Sequence, residues 1–393
     1  MGWETELAEW LEPFLGRFRH KAQRQWAPVY LCGLLGPSRR KNMERVAASV
    51  APEDVQQLHH FVSTSPWETA PLQDELAKQA NEFVGGPDAH LIVDDTSIVK
   101  KGKHSVGVAH QYCGELGKSS NCQSLVSLTL AHEEVPVPIG LQLYLPKSWA
   151  TDIERRQQAG VPEGIVYKSK WQIALDEIDR VTASGVKFGD VLADAGYGGG
   201  SEFRHGLTKR GLKWAVGIQS NQGVYPADVE LETKKKSGGR PRTHPIPSAK
   251  SVFAEAYIAS LGPEAFRKIS WRRGTKGVLK AEFAITRVKV ADGDRVSERK
   301  RLPGQTAWLI CERRTPEDLR YYLCNYPENT SERQLVAAIK ARWSCEQGHQ
   351  QLKQELGLDH FEGRSWNGLH HHALLTMIAF AFLQKLRWKQ KKL

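Results

Sequence analysis

The sequence predicts a mixed α/β protein: an all-helical N-terminal domain, then a mixed sheet with flanking helices that is interrupted by a β-containing insertion. Three observations carry this. Residues 1–88 read as short helices punctuated by Pro13, Pro28, Pro37, Pro52, Pro66, Pro71 and Pro87, with no strand pattern. From Leu91 the chain turns into successive β-rich runs. Between Lys168 and Ile218 helical and strand patterns alternate. The expected domains are 1–88, then 89–220 joined with 304–393, and an insertion at 221–303.

Within the N-terminal part, Arg39, Arg40, Lys41 and Arg45 sit between helix candidates, where basic residues suit phosphate contacts. Gly85-Gly86-Pro87 marks a boundary. LIVDDTSIV, VGVAHQY, CQSLVSLTLAH and VPIGLQLYL then predict three or four strands separated by turn-type or charged residues. A helix is expected near Lys168–Ala183, the strand DVLAD up to Asp194, a helix over Gly200–Arg210, and the strand KWAVGI. In the insertion, the run from Lys234 to Arg242 is basic and turn-rich, whereas WRRGTKG and LKAEFAITRVKV read as a turn and a strand. TAWLICE and LRYYLCN form a hairpin pattern that returns to the sheet.

Composition narrows the function. With 393 residues, 40% apolar and 25% charged, the chain is a globular one of two or three domains. Its 55 Lys+Arg against 44 Asp+Glu leave a formal charge of +11, which favours a polyanionic partner, nucleic acid above all. The six cysteines form no Cys-x-x-Cys pair and show no regular spacing with histidine, so reduced, mostly buried thiols are expected. The opening MGWETELAEW is too charged for a signal peptide, and the apolar stretch Ala373–Leu383 is too short to span a bilayer. A cytoplasmic protein with no membrane partner follows as the expectation.

The last candidate before the C-terminal helix is Ser331–Leu356, read as a single helix between a Ser331–Gln334 capping box and Gly357. Wound at about 100° per residue, it places Leu335, Val336, Ile339, Trp343, Leu352 and Leu356 on one half. Arg342, Glu346 and Lys353 fall within about 20° of Leu335 on that wheel, in the middle of the inward half. Charges held away from water must be paired, bound to metal or set against a charged ligand. Arg342 and Glu346, four apart, also have the spacing of a simple ion pair.

Two aspartates sit near strand ends, the edge where open α/β sheets hold ligands: Asp94 in the first strand and Asp194 after DVLA. Gathered with Glu346, such carboxylates would repel one another unless divalent cations lay among them, which implies Mg²⁺ or Mn²⁺. A pair of such ions suits in-line displacement at a phosphodiester. Turn-forming or capping roles are the ordinary alternative for each aspartate.

Arg342, Glu346 and Lys353 reproduce most of the Tyr-x2-Arg-x3-Glu-x6-Lys signature of DDE transposases of bacterial insertion sequences. Asp94-Asp95-Thr96 and Asp194-Ala-Gly196-Tyr197 resemble the blocks around that family's two aspartates. KKGKHSVGVAHQYCG, LYLPKSW, WRRGTKG and ELGLDHFEGRSWNGLHHH are similar to blocks of one subgroup, so the resemblance runs from about Leu91 to Phe382. It implies a ribonuclease-H-like catalytic domain interrupted before its glutamate helix, and two-metal cleavage of inverted-repeat DNA ends with joining to target DNA. It also implies a homodimer on double-stranded DNA. Asp94, Asp194 and Glu346 would then hold two Mg²⁺ (or Mn²⁺) ions, while Arg342 and Lys353 would contact terminal DNA.

The signature's tyrosine is Ile339 here, a departure that leaves open a DNA-binding protein without cleavage activity. Asp95 competes with Asp94 because adjacent strand residues face opposite sides; Asp94 is preferred for standing two before Thr96. The family's flipped terminal base makes Trp271 a candidate stacking partner. His370-His371-His372 cannot all reach one ion from consecutive helical positions, so packing or phosphate contacts are expected. Gly239-Arg240-Pro241-Arg242 is a weak match to minor-groove hooks, and Lys385 to Lys392 make a basic tail.

Overall fold

A computed structural model describes residues 3–232, 245–274, 277–297 and 300–392. Lys234–Lys236 and Arg240–Arg242 lie outside them. The N-terminal helices are α1 Trp3–Leu15, α2 Lys21–Leu35, α3 Met43–Val50, α4 Val55–Ser63 and α5 Ala70–Val84. Strands β1 His90–Val99, β2 Ala109–Cys113, β3 Lys118–His132 and β4 Val135–Leu143 follow, then helices α6 Lys147–Ala150, α7 Ile153–Gln158 and α8 Lys170–Ala183. Next come β5 Asp190–Ala193, α9 Ala195–Gly198, α10 Ser201–Lys209, β6 Trp214–Ile218 and β7 Gly223–Pro226. The short strands β8 Leu231–Glu232, β9 Ile246–Pro247 and β10 Val252–Phe253 lead to α11 Ala254–Ser260. Then β11 Arg267–Gly274, β12 Gly277–Val290, β13 Arg295–Ser297, β14 Lys300–Arg301, β15 Thr306–Arg313 and β16 Leu319–Cys324 precede α12 Glu332–Ala341, α13 Trp343–Gln354 and α14 Trp366–Lys392. The fold is α/β, with mixed strand pairing and flanking helices, as composition and periodicity predict.

Contacts gather the chain into two units, 1–189 with 343–393, and 190–342. In the first, β3 is the organising strand: it pairs antiparallel with β1, β2 and β4. Its middle, from Cys122 to Ala131, is buried throughout, so a long Val/Leu/Ser/Thr run is accommodated at every position rather than at alternate ones. Helices α5 and α14 pack on β4, and α13 packs on β1, β3 and β4. The 27-residue α14 is buried at every position from Gly368 to Phe382, which is why its sequence is apolar all round rather than on one stripe. The N-terminal helices α2, α4 and α5 rest against it. Among the described residues no helix is long and apolar enough to cross a membrane.

The second unit contains strands in the order β10-β7-β12-β15-β16-β6-β5, with β11 also on β12. The β5–β6 pair is parallel and the others are antiparallel. The hairpin expected from TAWLICE and LRYYLCN is β15–β16. A fully buried Arg204 on α10 donates to Asp292 at 2.8 Å, tying that helix to the loop after β12.

The helix expected over Ser331–Leu356 is two helices. Ser331 caps α12 with Gln334 as predicted, but α12 stops at Ala341 and α13 begins at Trp343. The buried residues of α12 are Leu335, Val336, Ala338 and Ile339, whereas those of α13 are Ser344, Cys345, Gly348, His349 and Leu352. On one continuous wheel these faces lie roughly 130° apart. The phase of burial in α12 therefore does not carry over into α13. Trp343, expected inward, is 44% exposed, Ser344, expected outward, is buried, and Glu346 is exposed.

Candidate active site

Asp94 lies in the middle of β1, opposite Ser127 of β3, and not near the strand's end as its sequence context implied. It is 9% exposed. Its carboxylate accepts the Asp95 amide at 2.8 Å, and its carbonyl accepts the Ser127 hydroxyl at 3.1 Å. Strand alternation separates the two aspartates. The Asp95 carboxylate is paired with Lys170 of α8, while Asp94 faces Cys345 and His349 of α13, with the three ligand atoms all within 4.8 Å of one another. Hydrogen bonds continue from there: His349 Nε2 lies 2.8 Å from Ser127 Oγ, and Thr129 Oγ1 lies 3.4 Å from Cys345 Sγ. Because the Ser127 hydroxyl already donates to Asp94, His349 is the donor in this network, carrying its proton on Nε2.

Glu346 follows Cys345 on α13 and is exposed. Two turns on, the Lys353 ammonium donates to the Ser97 carbonyl at 2.7 Å and to Glu115 at 2.6 Å. It is tied to β1 and to the β2–β3 turn, with its side chain 14% exposed.

In the second unit, Asp194 immediately follows β5, as predicted, and caps α9: its carboxylate accepts the Gly196 and Tyr197 amides at 3.0 and 3.3 Å. This turn lies so close to β6 that a Cβ on Gly198 would stand 2.1 Å from the Gly217 carbonyl oxygen. Glycine at 198 is therefore a packing requirement of the Asp-Ala-Gly-Tyr-Gly block. Arg342 caps the C-terminus of α12, and Ile339, at the signature's tyrosine position, is only 6% exposed. Trp271 is half-buried on β11, edge-on to Phe283, with the Lys340 ammonium 5.1 Å from its ring centre. Lys340 in turn donates to the buried Glu312 at 2.6 Å.

Of the basic cluster before α3, Arg39 and Arg40 are exposed, and Arg40 is paired with Glu362. Lys41 is 3% exposed and its ammonium is spent on the Gly36 carbonyl, so it does not present charge to solvent. The three histidines of α14 are packing residues. His370 donates from Nδ1 to Trp366, His371 meets the Val62 and Trp67 carbonyls, and His372 lies between Gly357 and Tyr30. In the tail, Lys389 pairs with Glu6 and Lys385 covers Trp10.

Sequence reasoning passed over Cys345 and His349. The expectation that no cysteine stands at regular spacing to histidine is corrected here: the two are four apart on α13, the spacing that places side chains on one helical face. That i,i+4 pair was the available signal.

Comparison with known proteins places the chain. A family model described as DDE superfamily endonuclease matches residues 13–278, which include Asp94 and Asp194 and end before Glu346. A probable transposase for insertion sequence element IS701 from Microchaete diplosiphon is 32% identical over 193 residues, 49% of this chain. That match spans 48%, about half, of the relative's length. A piggyBac transposase in a synaptic complex with hairpin DNA aligns with 99% of this chain and 73% of its own at 8% identity and a TM-score of 0.42. With two thirds of its length under the family model, the chain belongs to the DDE superfamily endonucleases.

Proposed function

We propose that this protein is a DNA transposase that binds the inverted-repeat ends of its element, cleaves them and joins the 3′ ends to target DNA. The observation that carries this reading is the meeting of Asp94 with the helix bearing Glu346. These residues lie far apart in the chain, yet Asp94 faces the Cys345–His349 side of α13, and the exposed Glu346 follows Cys345 on that helix. Asp94 is favoured over Asp95 because Asp95 is already paired with Lys170 on the opposite side of β1. Family membership supports the same chemistry.

The donor set fits divalent ions: Asp94, Asp194 and Glu346 offer carboxylate oxygens, which suit Mg²⁺ or Mn²⁺. When bound, two such ions would activate the attacking water or 3′-hydroxyl and stabilise the leaving oxygen. The chain's own residues orient the donors. Asp94 is held by the Asp95 amide, and Asp194 by two amides of α9. In this reading Arg342, Lys353, Arg39 and Arg40 take DNA phosphates and Trp271 a flipped base, the 1–88 helices bind DNA, and a homodimer of ribonuclease-H-like domains holds two ends. A DNA-binding descendant without cleavage activity is the competing reading, supported by Ile339.

Cleavage of DNA carrying the element's ends by purified full-length protein with Mg²⁺ separates the two. Glu346→Gln should abolish cutting and retain end binding. Undiminished cleavage by that variant would remove Glu346 from the site, and inactive wild-type protein that binds its ends would favour the competing reading.

A further inference from the structure

The side of Asp94 that meets α13 has a different chemistry from a carboxylate cluster. Cys345 and His349 present a sulfur and a nitrogen 3.6 Å apart, Cys345 Sγ to His349 Nε2. In a tetrahedral site with a metal–sulfur bond of about 2.3 Å and a metal–nitrogen bond of about 2.05 Å, the two donors stand about 3.5 Å from one another. The pair is thus already at ligand separation. The third donor, an Asp94 oxygen, lies within 4.8 Å of both, so a movement of about 1 Å completes three legs of a tetrahedron. Cys345 is fully buried, but Asp94 and His349 keep 9% and 8% exposure, which leaves an ion a way in along their edges.

We propose that Asp94, Cys345 and His349 form a site for a thiophilic divalent ion such as Zn²⁺, with water as the fourth ligand. Oxygen-preferring Mg²⁺ would be a poor occupant, because a thiolate and an imidazole suit borderline-soft ions. On binding, Cys345 loses its thiol proton to solvent, and the His349 proton passes from Nε2 to Nδ1, which frees the Nε2 lone pair for the metal. The site shares Asp94 with the carboxylate set. Resting on the proposed function, a second consequence follows: Zn²⁺ held here withdraws Asp94 from cleavage and inhibits it.

Full-length protein without DNA is titrated with Co²⁺ in excess Mg²⁺, following the thiolate-to-cobalt charge-transfer absorption and the visible bands of tetrahedral cobalt. One Co²⁺ per chain with a thiolate band is expected. Cys345→Ser should remove the band, His349→Gln should weaken binding at least about tenfold, and Glu346→Gln should leave both unchanged. Circular dichroism and urea midpoints establish that each variant is folded, and Cys345→Ala stands in should the serine variant unfold. Wild-type protein without a thiolate band overturns the proposal. So does a band that survives Cys345→Ser, since it would arise from another thiol such as Cys113 or Cys122, or one lost equally with Glu346→Gln. In a Mg²⁺-supported cleavage assay, Zn²⁺ inhibition should need at least about ten times more Zn²⁺ in Cys345→Ser. Wild-type protein that shows the band yet cuts no DNA would refute the transposase reading while leaving the metal site standing.

Discussion

Acid should loosen the packing of α14 before it titrates most carboxylates, and three histidines set the size of the effect. Burial pushes His370 and His372 down to about 4 from an ordinary 6.5. At His372 the neutral ring is fully satisfied: its Nε2 proton goes to the Gly357 carbonyl, and its Nδ1 lone pair accepts the Tyr30 hydroxyl at 2.8 Å, whose own ionisation burial pushes up. At His370 Nδ1 donates to the Trp366 carbonyl and the buried Nε2 has no hydrogen-bond partner among the described residues, so a second proton would be stranded. Burial lowers His371 to about 4 as well, outweighing the Val62 and Trp67 carbonyls that face its ring nitrogens and pull the other way.

The sign follows from linkage. The folded state binds fewer protons than the unfolded one between pH 6.5 and about 4, so the stabilisation is complete above 6.5 and is lost as pH falls through that window. Each histidine then contributes a loss of about 2 kcal/mol by pH 5 and about 3 by pH 4, together a large share of a folding stability of about 5–15 kcal/mol. Urea midpoints at pH 7, 6 and 5 measure it. His370→Asn keeps a donor where Nδ1 stands and cannot titrate, so it should flatten the pH slope by about a third. A midpoint independent of pH over this range, or an unaltered slope in the variant, would refute the reasoning.

Three further outcomes follow from the two units. Asp292→Ala takes the carboxylate from the Arg204 guanidinium, which is 1% exposed and keeps the Gly198 carbonyl, and should cost about 3–5 kcal/mol in urea unfolding. Glu115→Gln releases one of the two partners of Lys353; if that lysine takes DNA, end binding should tighten and its salt dependence steepen, and filter binding across a salt series reads both. Restoring the signature residue by Ile339→Tyr should not raise activity, because the position is 6% exposed and a larger ring overpacks it by about 1–3 kcal/mol, visible as a lowered melting temperature.

Periodicity made most of the fold legible. The β-rich runs from Leu91 became β1, β3 and β4, and DVLA ended at Asp194 as expected, because strands and turns announce themselves locally. What failed was phase. Nothing local marks the break at Arg342: it carries ordinary helical angles, φ −53° and ψ −30°, and neither glycine nor proline accompanies it. Extrapolating Leu335's side of the wheel through Trp343 therefore turned Glu346 inward and hid the Cys345–His349 face. The burial of Lys41 was equally invisible, since its partner is the Gly36 carbonyl and backbone acceptors leave no trace in composition.

β1 carries a consequence for folding fidelity. Its residues from Leu91 to Ile98 are buried on both faces apart from the partly exposed Asp95, so apolar patterning alone hardly distinguishes one strand offset from the next. A slip of a single residue would exchange the two aspartates, setting Asp95 toward α13 and Asp94 toward Lys170. Such a chain would bury nearly the same surface and pass as native by most bulk measures, yet present the wrong carboxylate.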